Sequence, residues 1–170
     1  MIIGLSGYAK SGKDEVAKII LRQHREWEVR KFSGKLKEVA TVLTGIPPIM
    51  FESQEFKTQD LPGWGMTVRE FLQRVGTEGI RNGVHPDAWV NALFAEYYKH
   101  DYWVITDCRF PNEAQAIKDR GGKIVRIVRP GVSAVNAHPS ETALDEWEFD
   151  HVIHNDGTLE DLKIKALEIL

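Results

Sequence analysis

The sequence predicts an open α/β fold, a parallel sheet with helices on both faces, on three observations. Strand-like and helix-like apolar spacing alternate regularly along the 170 residues. Tyr102 to Asp107 is a nearly continuous apolar run ending in a carboxylate, as expected of a strand buried on both faces. A glycine-rich stretch ending in lysine, Gly7 to Lys13, falls where a buried strand should turn into a helix.

The elements follow in order. Met1 to Ser6 is a short apolar run stopped by Gly7, and Lys13 to His24 places Val16, Ala17, Ile19, Ile20 and Leu21 on a helical stripe. Trp27 to Phe32 reads as a second strand, and Leu36, Val39, Ala40 and Leu43 as an amphipathic helix stopped at Gly45. Gly45 to Met66 carries Pro47, Pro48, Pro62, Gly63 and Gly65, which predicts an irregular connection or small lobe. Thr67 and Glu70 form a capping-box pattern before Val68, Phe71, Leu72 and Val75, and a further helix near Asp87 carries Trp89, Val90, Leu93, Phe94 and Tyr97. After the Tyr102 strand, Pro111 suits a first helical turn and Gly121-Gly122 its end. Lys123 to Val128 is a strand, Arg129 to Glu148 is polar and irregular, and His151 to His154 is a short last strand. Thr158 with Asp161 caps a final helix bearing Leu159, Leu162, Ala166 and Leu167.

Composition bounds the function. Hydrophobic residues at 42% and charged residues at 28% exclude wholesale disorder, and the length implies one domain with room for an inserted lobe. A net charge of −3 offers no global reason to bind nucleic acid, so no such partner is expected. Cys108 is the only cysteine, which rules out an intramolecular disulfide and fits a reducing compartment. No apolar run is long enough for a membrane helix and Met1-Ile2-Ile3-Gly4 lacks a basic leader, so a cytoplasmic protein without membrane partner is expected.

Gly7-Tyr8-Ala9-Lys10-Ser11-Gly12-Lys13 has the spacing of a phosphate-binding loop. Glycines permit angles and close approach that a Cβ would block, so successive N–H groups can face one concavity. Lys13 adds a charge where the helix dipole already favours an anion. Position 14 is Asp where such loops usually have Ser or Thr: it either holds hydrated Mg²⁺ and positions Lys10 and Lys13, or is a favourable acid in a first helical turn. Asp107, at the carboxyl end of a buried strand, either faces Mg²⁺ or its water shell, caps the Pro111 helix, or serves as a base. Arg109 then either neutralises transferring phosphate or is a surface arginine.

Other constellations read more plainly. His151 and His154 point to opposite faces of a strand, which argues against a shared metal. Cys108 reads as a small buried residue, and Trp64, Phe51 and Phe56 as a hydrophobic cluster before a base-stacking platform.

The residues also resemble a known family, the bacteriophage-type deoxynucleoside monophosphate kinases, and more distantly the animal-type phosphomevalonate kinases. The likeness rests on Gly7 to Asp14, Ser33-Gly34-Lys35-Leu36-Lys37-Glu38, Thr67-Val68-Arg69 through Gly76-Thr77, Trp89-Val90, Asp107-Cys108-Arg109, Val128-Arg129-Pro130-Gly131, His138 to Glu141, and Asn155-Asp156-Gly157. Asp14 after the loop lysine is shared by both families. The resemblance implies a P-loop, nucleoside monophosphate kinase-like three-layer α/β/α fold with a parallel five-stranded sheet. It implies a helical acceptor-binding lobe at about residues 34–100 and a lid at about 130–148, within a single kinase domain 1–170.

Carried over by residue, Gly7, Lys10, Ser11, Gly12, Lys13 and Asp14 would bind ATP phosphates, and Leu36, Lys37, Arg69, Gln73, Gly76, Thr77 and Trp89 the acceptor. Arg129, His138 and Glu141 would belong to the lid, with Lys13, Asp14, Asp107, Arg109 and Arg129 as the catalytic set. Asp14 and Asp107 would hold Mg²⁺ through water. The implied reaction is ATP-dependent phosphorylation of deoxynucleoside monophosphates to diphosphates, in host cytoplasm if the chain is phage-encoded. A kinase of another small phosphorylated acceptor such as phosphomevalonate, and a nucleotide-binding module without turnover, are the alternatives. Base choice, ribose selectivity and a homodimer stay open at this point.

Overall fold

A computed structural model of the chain describes residues 1–133 and 142–170, and the expected lid residues His138 and Glu141 lie outside them. The chain forms two compact units, one from Met1–Lys31 with Tyr97–Leu170, the other from Phe32–Glu96.

The first unit is a parallel sheet. β1 (Ile2–Ser6), β2 (Trp27–Arg30), β5 (Tyr102–Ile105), β6 (Lys123–Val128) and β7 (His151–His154) lie in the order β2-β5-β1-β6-β7, every pairing parallel. Side chains alternate across the sheet. Ile3 and Leu5 of β1 join Val104, Val125, Ile127 and Ile153 in one apolar cluster with Val16, Ile19 and Ile20 of α1 (Lys13–Gln23) and Leu162 and Ala166 of α7 (Leu159–Leu167). α6 (Pro111–Lys118), burying Ala114, Ala116 and Ile117, packs on β1 and β6. β1 is therefore buried along its whole length, which is why it reads as a continuous apolar run.

Because every strand runs the same way, one edge of the sheet collects all the carboxyl ends. Gly7 to Lys13 follow β1, Asp107 and Arg109 follow β5, Arg129 follows β6, and Asn155 follows β7.

The second unit is mostly helical: α2 (Phe32–Thr44), a 3₁₀ turn Pro48–Glu52, α3 (Gln54–Lys57), a hairpin of β3 (Asp60–Leu61) and β4 (Met66–Thr67), α4 (Val68–Gln73), a π-helical stretch Arg74–Asn82 and α5 (Ala88–Phe94). Its core is Ala40, Phe51, Leu61, Val68, Phe71 and Leu72. It occupies Phe32–Glu96, where the sequence reading placed a lobe at about 34–100.

Several local expectations are corrected. Phe32 opens α2 instead of closing β2, and its ring meets Phe94 at 6.1 Å. Tyr97 lies beyond α5 and stacks edge-on to Trp103 at 5.0 Å, in the other unit. Leu43 and Leu159 are exposed while Lys37 is buried, because the buried stripe of α2 runs through Phe32, Lys37 and Ala40. The stretch from Gly45 to Met66 contains short elements: apolar Phe51 and Leu61 reach the core, so the chain between them is ordered by packing despite its prolines and glycines. The Thr67 cap forms half of the expected box, Thr67 Oγ1 accepting from the Glu70 amide at 3.2 Å while Glu70 Oε1 accepts from Arg74 at 2.8 Å. Thr158 and Asp161 complete theirs in both directions, at 2.8 and 3.2 Å.

Candidate functional site

The loop between β1 and α1 has the backbone that its glycines predict. Gly7 (φ 145°), Lys10 (φ 67°) and Gly12 (φ 114°) all take positive φ, a region that costs a side-chain-bearing residue such as Lys10 about 1–2 kcal/mol. At Gly7 a Cβ would come within 2.5 Å of the Ile127 carbonyl oxygen of β6, and at Gly12 within 2.6 Å of the Asn155 amide nitrogen. Gly7 excludes a side chain on space as well as on angle, because the obstacle is backbone; at Gly12 the angle is the stricter bar, since the Asn155 side chain could yield.

Lys13 folds back over the loop, its ammonium donating to the carbonyls of Gly7 at 2.6 Å and Tyr8 at 2.8 Å. Ser11 is buried, and its hydroxyl has no hydrogen-bond partner among the described residues. A buried hydroxyl left without a partner costs about 1–3 kcal/mol, and Ser11 sits inside the glycine-bounded loop after β1. Asn155 Nδ2 donates to the Ser11 carbonyl at 2.9 Å, tying the loop to the end of β7. Asp14 and Lys10 are exposed, as are Arg109 and Arg129. Asp107 is buried, just past β5.

Sequence reasoning missed several neighbours of this loop. Glu113 is buried on the first turn of α6 and accepts from the amides of Arg109 at 2.8 Å and Phe110 at 3.1 Å, so it is an acid that caps the Pro111 helix. Its position three residues into the helix after Pro111 was a readable signal. Arg126 of β6 donates to Ser6 Oγ at 3.2 Å and to Asp145 at 2.6 Å and lies over the Tyr8 ring at 4.8 Å. Tyr8 in turn donates to Asp145 at 2.8 Å. No spacing rule connects these four residues; the sheet register pairs Ser6 with Arg126, and the loops bearing Tyr8 and Asp145 meet that pair only in the fold.

Cys108 is buried, and burial, with Glu113 and Asp107 nearby, pushes its thiol well above the ordinary value, so it stays protonated at neutral pH. A nucleophilic role does not fit it. His151 and His154 are exposed on the edge strand.

The expected acceptor residues all lie in the helical unit. Leu36, Gly76 and Trp89 converge: a Cβ on Gly76 would stand 2.8 Å from Leu36, and the Trp89 indole nitrogen donates to the Gly76 carbonyl at 2.8 Å. Gly76 and Thr77 lie on the π-helical stretch, a rare backbone form that recurs at functional sites. Lys37 is buried and pairs with Glu52, a partner that sequence reasoning did not name. Arg69 is exposed, donating to Gln54 Oε1 at 3.2 Å, and Gln73 ends α4 half-buried. Of the proposed base-stacking rings, Phe51 is wholly buried and meets Phe56 at 6.1 Å, and Trp64 packs edge-on to Phe71 at 4.7 Å. Phe51 belongs to the core of the unit and Phe56 packs against it, whereas Trp64 lies exposed over Phe71.

Among the described residues no helix is long and apolar enough to cross a membrane.

Comparison with known proteins points one way. The family described as deoxynucleotide monophosphate kinase matches residues 50–166. A putative deoxynucleotide monophosphate kinase of Acanthamoeba polyphaga mimivirus is 32% identical over 95% of this chain and 91% of its own length. The deoxynucleotide monophosphate kinase of Enterobacteria phage T4 is 34% identical over 61% of this chain, which spans 46% of that protein. The deoxynucleoside-5'-monophosphate kinase of Escherichia phage T5 is 25% identical over 98% of this chain and 94% of its own. Among solved structures, a shikimate kinase from Bacteroides thetaiotaomicron superposes with a TM-score of 0.54 at 15% identity, over 99% of this chain and 97% of that one. A dephospho-CoA kinase from Campylobacter jejuni does so at 0.50 and 13%, over 99% and 94%. At such identities the likeness is one of fold.

Proposed function

The chain belongs to the deoxynucleotide monophosphate kinase family, and from that premise we propose that it moves the terminal phosphoryl group of ATP onto deoxynucleoside monophosphates, yielding diphosphates. The observation that carries the reading is the loop: three positive-φ residues, Gly7, Lys10 and Gly12, lead the chain from β1 into the start of α1, and the Lys13 ammonium folds back onto the Gly7 and Tyr8 carbonyls.

Phosphoryl transfer asks for charge neutralisation and in-line positioning more than for covalent chemistry. In the proposed division of work, the amides from Gly7 to Lys13 and the Ser11 hydroxyl take donor phosphate oxygens. Lys13 exchanges its two carbonyl partners for phosphate, with Lys10, Arg109 and Arg129 supplying further charge. Lys37 and Arg69 are assigned the acceptor phosphate, and Leu36, Gln73, Gly76, Thr77 and Trp89 the nucleoside. Little general-base help is needed, because a monophosphate with a second pKa of about 6 is already largely ionised at neutral pH.

Mg²⁺ fits the donor set. Among the described residues no three His, Cys, Asp or Glu side chains converge to cage a metal, and Mg²⁺ in nucleotide sites is typically held by one or two carboxylates together with water and phosphate. Asp14 and Asp107 are the carboxylates assigned to it, through water. When bound, it would neutralise charge on the transferring phosphates.

The test is ADP formation from ATP across a panel of monophosphates, deoxy and ribo, with phosphomevalonate as a control acceptor. Deoxynucleotide-dependent ADP release is expected; an ADP rate indifferent to every acceptor would remove the proposal. Asp107→Asn should weaken turnover chiefly by changing its Mg²⁺ dependence, and an unchanged metal titration would take Asp107 out of the site.

A further inference from the structure

We infer that Arg126 is a positioning residue for the donor nucleotide: acting through Tyr8 and Ser6, it sets where the Lys13 ammonium rests. The inference rests on the reading above of Lys13 as the donor-phosphate ligand.

Arg126 is on β6 in register with Ser6, the last residue of β1, so both side chains leave the same face of the sheet. Its guanidinium donates to Ser6 Oγ at 3.2 Å and covers the Tyr8 ring at 4.8 Å. These are the residues on either side of Gly7. Two of the acceptors that hold Lys13 are the carbonyls of Gly7 and Tyr8. Arg126 thus braces both flanks of the short segment that carries these two acceptors.

The brace is anchored at its other end. Asp145 accepts from Arg126 at 2.6 Å and from the Tyr8 hydroxyl at 2.8 Å, and Phe149 lies 5.5 Å from the same guanidinium. The Arg126 side chain is only 11% exposed, so its charge is poorly hydrated and depends on these partners. The Asp145 carboxylate, by accepting its hydrogen bond, also raises the Tyr8 phenol above its ordinary value, which keeps that hydroxyl a donor over the working range. A flat guanidinium suits this set, because it stacks on one face while its edge makes two separate hydrogen bonds. Lysine cannot reproduce that geometry.

The experiment is a comparison of Michaelis constants. Arg126→Lys and Tyr8→Ala should each raise KM for ATP by about tenfold, with KM for the deoxynucleotide unchanged within about twofold. Tyr8→Phe, which keeps the ring under Arg126 and loses only the bond to Asp145, should show a smaller rise than Tyr8→Ala. A merely structural role would shift both Michaelis constants or neither, and either result overturns the inference, as does Tyr8→Phe equalling Tyr8→Ala. Circular dichroism and the thermal midpoint establish that each variant folds. If Arg126→Lys does not fold, the two Tyr8 variants decide on the same criteria. If the wild-type chain turns over no monophosphate, the kinase reading fails by itself, and equilibrium binding of ATP to the same variants carries the identical comparison.

Discussion

The loop after β1 and the helical unit Phe32–Glu96 do comparable work, each being assigned a phosphate group, yet they are built in opposite ways. In the loop the groups proposed to bind phosphate are mainly backbone amides, and the side chains that matter are mostly absences: at Gly7 and Gly12 a Cβ would strike Ile127 or Asn155. In the helical unit the proposed acceptor groups come from separate elements, the side chains of Leu36 and Lys37 on α2, Arg69 on α4 and Trp89 on α5, with the bare backbone of Gly76 on the π-helical stretch between them. The loop depends on angles and the unit on packing, so the same size of substitution should harm them differently.

The largest expected effect is at Lys13. Lys13→Ala should cut turnover by about 10²–10³-fold while the chain stays folded, since the lysine contributes charge and not core, a prediction checked by initial rates beside circular dichroism. Gly7→Ala should damage both properties. A Cβ 2.5 Å from a strand carbonyl must displace β1 or β6, which lowers stability by about 1–3 kcal/mol in a denaturant titration and lowers ATP affinity with it. A Gly7→Ala protein with normal stability would break the claim that the loop works by excluding side chains.

In the helical unit Trp89→Phe keeps an aromatic side chain, though a smaller one, and removes the donor to the Gly76 carbonyl. Stability should fall by about 1–3 kcal/mol, and the acceptor KM should rise while the ATP KM does not. Equal changes in both would erase the division of labour between the two regions.

The smallest effect is at Asp150, outside both. Burial pushes its carboxyl up, but hydrogen bonds from Lys118 and the Ile124 amide outweigh this and hold it below its ordinary 3.8. A lowered carboxylate adds stability that is present above that ordinary value and is lost as pH falls through the folded one. Asp150→Asn should therefore cost about 1 kcal/mol or less at neutral pH, and its difference from wild type should shrink as acid is added below 3.8. Urea midpoints measured across the acid range test this.

The difference between the two regions also explains what was readable. Gly7, Gly12 and Lys13 announce themselves because a local backbone shape needs particular residues at fixed spacing, and the strand and helix around them follow from periodicity. Phe32 and Tyr97 were misplaced because an aromatic residue at a boundary fits a strand or helix stripe equally well until its ring finds a partner, here Phe94 and Trp103. Lys37 read as an acceptor-site cation on α2, and its pairing with Glu52 depends on the 3₁₀ turn folding against that helix. Glu113 was overlooked as a cap of α6, and only the fold shows that its carboxylate reaches the Arg109 and Phe110 amides.

Chain order and residue type by themselves determined that β1 is buried, that a phosphate-shaped loop follows it, and that strands and helices alternate around it, because each depends on interactions within a few residues. The tertiary structure alone decided that Arg126 meets Tyr8 and Asp145, that Asn155 braces Ser11, and that Trp89 reaches Gly76. Those contacts join residues whose separation carries no period; they exist only once the sheet has taken the order β2-β5-β1-β6-β7 and the helices of the inserted unit have packed on one another.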